Sequence, residues 1–515
     1  MRNPQLFGMK LSLYLYVATT VVIAACGSVQ QTAVQQNMSP EPFRPQLHFS
    51  PQRAWMNDPN GMVYFNKTYH LFYQYYPDST VWGPMHWGHA TSADLVHWQH
   101  QPIALYPDSL GYIFSGSAVV DVQNTTGFGR EGKTPLVAVF TQHNPQGEKQ
   151  GRLDFQNQSL AFSLDEGKTW AKYQGSPVLS NPGIRDFRDP KVLWYADANK
   201  WIMTLATQDR VTFYSSPDLK NWKKESEFGH LAGAHGGVWE CPDLFSFTHN
   251  GEKVWVLLVS INPGGPNGGS ATQYFTGRFN GTVFTPVDTA TRWIDYGPDD
   301  YAGVTWSNTG ERKVFMGWMS NWQYAQVVPT KTWRSAMTVP RELSLVKQGE
   351  TFLVASNPIN ELQTVTEKPV SLAGTMEGTF SGPAKLQVSA TEPTDVTITL
   401  SNKAGQRVTL GYEKATGNYF IDRTASGHTT FEKGFAARHV APRLSIQKEM
   451  SLTLLIDQSS VELFADNGLT VMTSIFFPDD GFSNVSVESP EKKNLTVVQL
   501  SPMKPVINQP PAARQ

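Results

Sequence analysis

The sequence predicts an all-β protein in two parts, a five-bladed β-propeller followed by a β-sandwich. Three observations carry this expectation. From residue 46 to 345, short apolar and aromatic runs of strand length alternate with turns, and no long stretch repeats at the helical period of 3.6. A Ser–Asp–Trp motif recurs three times in that region. All 15 tryptophans lie before residue 334, so the chain changes character beyond it.

The elements follow in order. Arg2 and Lys10 precede a mostly apolar run from Leu11 to Ala25, and the run ends Ile23-Ala24-Ala25-Cys26. That pattern reads as a signal peptide over 1–25 and resembles a bacterial lipobox, with Cys26 as the lipidated residue. Residues 26–45 are polar and read as a tether. Met62–Phe65, Tyr69–Tyr76, Leu136–Phe140, Trp201–Ala206 and Val254–Ser260 are strand-length and rich in β-formers. Ser92-x-Asp94…Trp98, Ser163-x-Asp165…Trp170 and Ser216-x-Asp218…Trp222 start 71 and 53 residues apart. Each reads as a strand entering a turn, with the Asp as turn former. Roughly 300 residues at about 50 to 60 per blade give about five blades. Residues 346–365 are expected to connect the parts. From 366 to 502, alternating strands such as Val396–Leu400 and Leu452–Leu454 predict a sandwich. Residues 503–515, rich in Pro and Gln, are expected to form a disordered tail.

Charged residues make up 17% of the chain and the net charge is −2, which excludes a basic nucleic-acid surface. Two cysteines exclude a disulfide framework. His86 and His89 lie close together, but no carboxylate or cysteine completes a ligand set, so neither a metal nor any other cofactor is expected. The many aromatics suit both β-rich cores and the apolar faces of sugar rings.

Three acidic residues have distinctive settings. Asp58 lies in Trp55-Met56-Asn57-Asp58-Pro59-Asn60-Gly61, a run that reads first as a turn. Asp189 lies in Phe187-Arg188-Asp189-Pro190, and Glu240 in Trp239-Glu240-Cys241-Pro242-Asp243-Leu244. They are 131 and 51 residues apart, as expected for different blades converging on one axis.

These motifs resemble those of glycoside hydrolase family 32, the invertases, inulinases and levanases. Phe72-Tyr73-Gln74-Tyr75, Phe114-Ser115-Gly116-Ser117 and Ser459-Ser460-Val461-Glu462-Leu463-Phe464 extend the resemblance over about residues 46 to 500. It implies Asp58 as nucleophile, Glu240 as acid/base and Asp189 as transition-state stabiliser of a retaining glycosidase acting at C2 of fructose. Glu240 is then expected to be protonated near working pH while Asp58 is ionised. The resemblance further implies Trp55, Asn57, Gln74, Trp82, Phe114, Ser115, Arg188 and Trp318 around the sugar. The segment Trp293–Ala302 resembles the fructan-hydrolase version of its region. A pocket of these residues around one fructose predicts release of terminal fructosyl units from levan, inulin or sucrose, and the lipobox-like run predicts an enzyme held at the bacterial envelope through Cys26. Endo-action, fructosyl transfer, an inverting relative of the same fold and a non-catalytic sugar-binding lipoprotein are the competing readings.

Overall fold

The computed structural model describes residues 41–506; the signal segment, Cys26 and residues 507–515 lie outside the described residues. Five sheets form the blades, antiparallel except where Trp333–Arg334 joins the first blade in parallel. Their innermost strands are Ala54–Phe65, Tyr112–Val120, Phe187–Tyr195, Val238–His249 and Tyr301–Thr305. Later strands of each blade step outward through hairpins, as in blade 3, where Lys200–Thr207, Val211–Ser216 and Lys223–Phe228 follow in order. The ring closes where blades 1 and 5 meet: Tyr64 N donates to Ser307 O, and Ser307 N to Met62 O.

The repeated motif has one structural meaning. In blades 1, 2 and 3 it turns the chain from the third strand to the fourth. Asp94 Oδ1 accepts from Val96 N and His97 N, and Asp218 Oδ1 from Lys220 N and Asn221 N. The tryptophan then donates back to the turn: Trp98 to Leu95 O, Trp170 to Gly167 O and Trp222 to Leu219 O. These aspartates saturate backbone donors, as expected of turn formers.

Three expected boundaries shift. Residues 346–365 do not form a free connector. Arg341–Gln348 and Thr351–Pro358 pair as a hairpin that supplies the outer strands of blade 5. The last residues of the expected tether are also seated. Phe43 packs edge-on against Phe477, and the Arg44 guanidinium lies 4.5 Å from the Trp333 ring. Polarity alone does not separate a tether from a segment that pairs its backbone with a neighbour. At the other end, Val506 N donates to Gln46 O, so the first residues of the expected tail are paired too.

The sandwich has two six-stranded sheets. Val396, Ile398 and Leu400 are buried while Thr397 and Thr399 are half-exposed, so the alternation in the sequence is the alternation of faces. Sandwich and propeller meet across buried charge. Arg341 of blade 5 binds Asp295, Asp300 and Glu462, and Arg423 of the sandwich binds Asp299. His48 reaches Asp457 through Nδ1 at 2.8 Å and Glu462 through Nε2 at 2.7 Å.

Candidate active site

Each innermost strand breaks its ladder near its first residues. Blade 1 slips between Asn57 and Pro59, and blade 2 between Ile113 and Gly116. Blade 3 slips between Arg188 and Lys191, blade 4 between Glu240 and Asp243, and blade 5 between Tyr301 and Val304. Such irregularities re-aim side chains and are enriched beside active sites. Here Asp58, Ser115, Asp189, Glu240 and Tyr301 each lie within or at the edge of one. Asp58 is therefore not in a free turn, as its neighbours suggested, but inside a twelve-residue strand at an interruption of its pairing. Asp189 at φ 65°, Cys241 at φ 45° and Ala302 at φ 55° occupy the left-handed region. For non-glycine residues that conformation costs about 1 to 3 kcal/mol each and recurs where a site requires it. At Gly61, φ 51°, a side chain would strike the Trp87 and Phe72 rings, so the strand carrying Asp58 needs glycine there.

The result is a cavity of about 320 Å³ at one mouth of the propeller axis, lined among others by Asp58, Asp189 and Glu240. Asp58 is held at both oxygens: Asn57 Nδ2 donates to Oδ1 at 2.9 Å, and Ser115 Oγ to Oδ2 at 2.7 Å. Asn57 is itself fixed by Trp55 Nε1 at 2.7 Å. Asp189 Oδ2 accepts from Cys241 N at 3.0 Å, and the Cys241 thiol stands 3.7 Å from Asp58 and 3.6 Å from Asp189. Burial and the surrounding carboxylates push that thiol well up, so it stays protonated between them. Glu240 Oε1 accepts from Arg188 Nε at 3.1 Å and Nη2 at 2.9 Å. Glu240 Oε2 accepts from the Tyr301 phenol, which burial and Glu240 keep protonated. Burial, then the Glu240 charge, raises Asp58 above the usual carboxylate range. Burial also raises Asp189; Arg188 opposes it, while Glu240 and Asp58 add to it.

Asn57, Gln74, Trp82, Phe114, Ser115 and Arg188 line this cavity with the three carboxylates. Trp55 and Trp318 do not wall it as expected. Both are 0% exposed and form a layer behind, where Trp322 stacks on Trp55 at 5.8 Å and packs on Trp318 at 4.9 Å. Trp322 is the tryptophan of that cluster that lines the cavity. Sequence reasoning also missed Tyr301 and His143. Tyr301 follows directly on the Asp299-Asp300 pair in a segment already noticed, which was the available signal. His143 stacks on Phe114 at 4.2 Å, and burial, with Arg188 nearby, lowers it to about 4, leaving a neutral ring. His86 and His89 are engaged separately, His86 Nδ1 with Pro84 O and His89 stacked on Phe72.

A second cavity of about 380 Å³ lies toward the other ends of the innermost strands, among Val120, Trp194, Asp243 and Thr305. One oxygen of its carboxylate is committed to structure: Asp243 Oδ2 accepts from Thr305 N and Oγ1 and pairs with Lys191, while Oδ1 is buried without a hydrogen-bond partner among the described residues.

Residues 48–356 match the N-terminal domain of glycosyl hydrolases family 32, and residues 350–502 match its C-terminal domain. A levanase of Bacillus subtilis is 46% identical over 461 residues, covering 85% of this chain and 67% of the relative. An extracellular exo-inulinase of Aspergillus ficuum is 40% identical over 486 residues, covering 85% of this chain and 90% of the relative. The crystal structure of exo-inulinase from Aspergillus awamori superposes with a TM-score of 0.82 at 35% identity, covering 91% of this chain and 99% of that one. The β-fructofuranosidase of Schwanniomyces occidentalis complexed with fructosyl-erythritol gives 0.81 at 31% identity, covering 91% and 98%. The chain belongs to glycoside hydrolase family 32 and is a glycosidase of its β-fructofuranosidase, levanase and exo-inulinase group.

Proposed function

We propose that the protein is an exo-acting, retaining fructan hydrolase that releases terminal β-D-fructofuranosyl units from levan or inulin and also cleaves sucrose. The observation that carries this reading is the meeting of three carboxylates from three blades in one small cavity. Asp58, held by two donors, attacks C2 of the terminal fructose as the C2–O bond to the rest of the substrate breaks. Glu240 gives its proton to the departing oxygen, then takes one from the water that breaks the fructosyl–Asp58 ester. Asp189 accepts hydrogen bonds from fructose hydroxyls as the ring flattens. Arg188 and Tyr301 hold the Glu240 carboxylate on the leaving-group side. His143, neutral, meets the substrate without adding charge.

Exo-action is supported by the cavity's size, near the small end of the roughly 300 to 1,000 Å³ usual for ligand sites. Its crowded polar lining also favours one complete ring. An internal ring has a hydroxyl committed to the next linkage, and a buried group left unpaired costs about 1 to 3 kcal/mol. Relatives described as exo-inulinases agree with this reading. Attachment to the bacterial envelope through lipid on Cys26 belongs to the same proposal and rests on the residues before it. Chromatography of early products from levan, inulin and sucrose tests the mode of cutting. Free fructose as the sole early product from both polymers is expected. A ladder of fructo-oligosaccharides at low conversion would overturn exo-action, and the relative rates assign the preferred linkage.

A further inference from the structure

Among the described residues, only two aromatics stand out as exposed, Trp82 at 36% and Tyr106 at 55%, in a chain with 15 Trp, 18 Tyr and 28 Phe. Both are on the active-site face. Trp82 lies between the second and third strands of blade 1, and Tyr106 between its fourth strand and the innermost strand of blade 2. Those connections fall at the strand ends where Asp58 and Ser115 lie. Trp82 lines the cavity and packs edge-on against Phe114 at 6.0 Å. Tyr106 lies outside the cavity lining, edge-on to His86 at 5.4 Å, and Leu110 on the same loop is 43% exposed.

The Tyr106 loop is stiff despite its exposure. Asp108 and Gly111 exchange two backbone hydrogen bonds. Asp108 Oδ1 accepts from Gln142 Nε2 and Leu110 N, both at 2.8 Å, and Asp108 Oδ2 pairs with Lys172 at 2.6 Å. Lys172 also donates to Tyr106 O. Gln142 and Lys172, with the loop's own backbone bonds, thus fix a loop whose apolar side chains reach into water. A fixed aromatic ring beside a sugar site offers a stacking face, and a fixed platform loses little freedom when a ligand lands on it.

We infer that Tyr106, with Leu110 beside it, is a stacking platform for a sugar ring of the fructan chain beyond the one next to the scissile bond. The inference rests on the fructan-hydrolase reading and extends the same site outward. Trp82, at the cavity rim, is placed to meet the first ring of the leaving group; Tyr106 lies one step farther out. Sucrose, with a single ring beyond the fructose, is too short to reach it. The platform therefore separates polymer from disaccharide.

The test is steady-state kinetics of Tyr106→Ala and Tyr106→Phe on long-chain inulin, levan and sucrose. In Tyr106→Ala, kcat/KM on at least one polymer should fall roughly three- to tenfold through KM, with sucrose kinetics unchanged. Tyr106→Phe, which keeps the ring, should restore the polymer value. Sucrose turnover also reports correct folding. Equal losses on polymer and sucrose, or no loss on either polymer, would overturn the platform. A wild-type enzyme that cuts sucrose but neither polymer would instead overturn the fructan reading, and the platform with it.

Discussion

The active-site cavity and the seam between propeller and sandwich use the same materials in opposite ways. Both gather buried carboxylates around arginine. At the seam, each acid meets an arginine or a histidine. Glu462 receives Arg341, His48 and Val339 N, and Asp457 receives His48 with the backbone of Gln46 and Leu47. Burial works to raise both acids, but those partners outweigh it and hold them below the usual range; at Asp299 and Asp300 on the same seam burial outweighs Arg423 and Arg341 and raises both. In the cavity, burial prevails and Asp58 and Asp189 sit above it. Arg188 is engaged by Glu240 and Asp186, and it approaches Asp189 only at 4.0 Å. A carboxylate paired with a buried cation holds two domains together. A carboxylate held by neutral donors with no cation among the described residues paired to it, as Asp58 is, has affinity to spare for a developing positive charge, which a fructosyl cation supplies.

The sharpest way to break this comparison is to remove one group from each side. Asp58→Ala should reduce kcat by roughly 10⁴-fold or more, with the melting temperature held or raised, because a crowded like charge is relieved. Arg341→Met should do the reverse. It strands Asp295, Asp300 and Glu462 in the seam, a change of the kind that costs about 3 to 5 kcal/mol, while turnover below the melting transition survives. Calorimetry and sucrose kinetics on both variants check the pair. A strongly destabilised Asp58→Ala, or an Arg341→Met as stable as wild type, would mean that the two clusters are not distinct in kind.

A smaller effect sharpens the seam. Burial lowers His48, but Asp457 and Glu462 more than compensate, and the result is about 9 against 6.5 when unfolded. A raised pKa stabilises fully below the unfolded value and is lost as pH rises through the folded one. His48 should therefore contribute on the order of 3 kcal/mol below about pH 6.5 that disappears by about pH 9 to 10. His48→Gln should be less stable than wild type at pH 6 and should lose less on going to pH 10. Urea midpoints at the two pH values measure it. A wild-type midpoint independent of pH across that window would show that His48 is not charged in the seam.

The two regions also differed in how legible they were. The blades could be read because their turns are built locally: Ser, Asp and Trp within seven or eight residues satisfy one another, so the repeat survives in sequence. Asp58, Asp189 and Glu240 could be found because each sits in a short motif of unusual composition. What could not be read was which way a side chain faces once strands pair. Trp55 and Trp318 carried the same signal as Trp82, yet only Trp82 reaches the cavity, because the first two lie behind a third tryptophan. The acids of Trp293–Ala302 looked like a specificity segment, but Asp295, Asp299 and Asp300 are all clamped by arginine at the seam. Their partners lie 41 to 124 residues away, so no local pattern announces them.

The finest test falls within the cavity itself, at the hydroxyl that keeps Asp58 usable. Burial and Glu240 push Asp58 up, while Ser115 and Asn57 pull it down by donating to its two oxygens. Asp58 attacks only when ionised, so on this reading kcat/KM falls as pH drops through its pKa in the free enzyme. Ser115→Ala removes the donor 2.7 Å from Oδ2. A hydrogen bond to a charged group contributes about 1.5 to 3 kcal/mol, and each pKa unit is about 1.4 kcal/mol, so the acid limb should move up by about one to two units. Ser115→Thr, which keeps the hydroxyl, should return it toward the wild-type position. Profiles of kcat/KM against pH on sucrose decide the matter. An acid limb that stays in place in Ser115→Ala would mean that some other group sets it. One that moves to lower pH would mean that the serine was opposing the charge on Asp58 rather than supporting it.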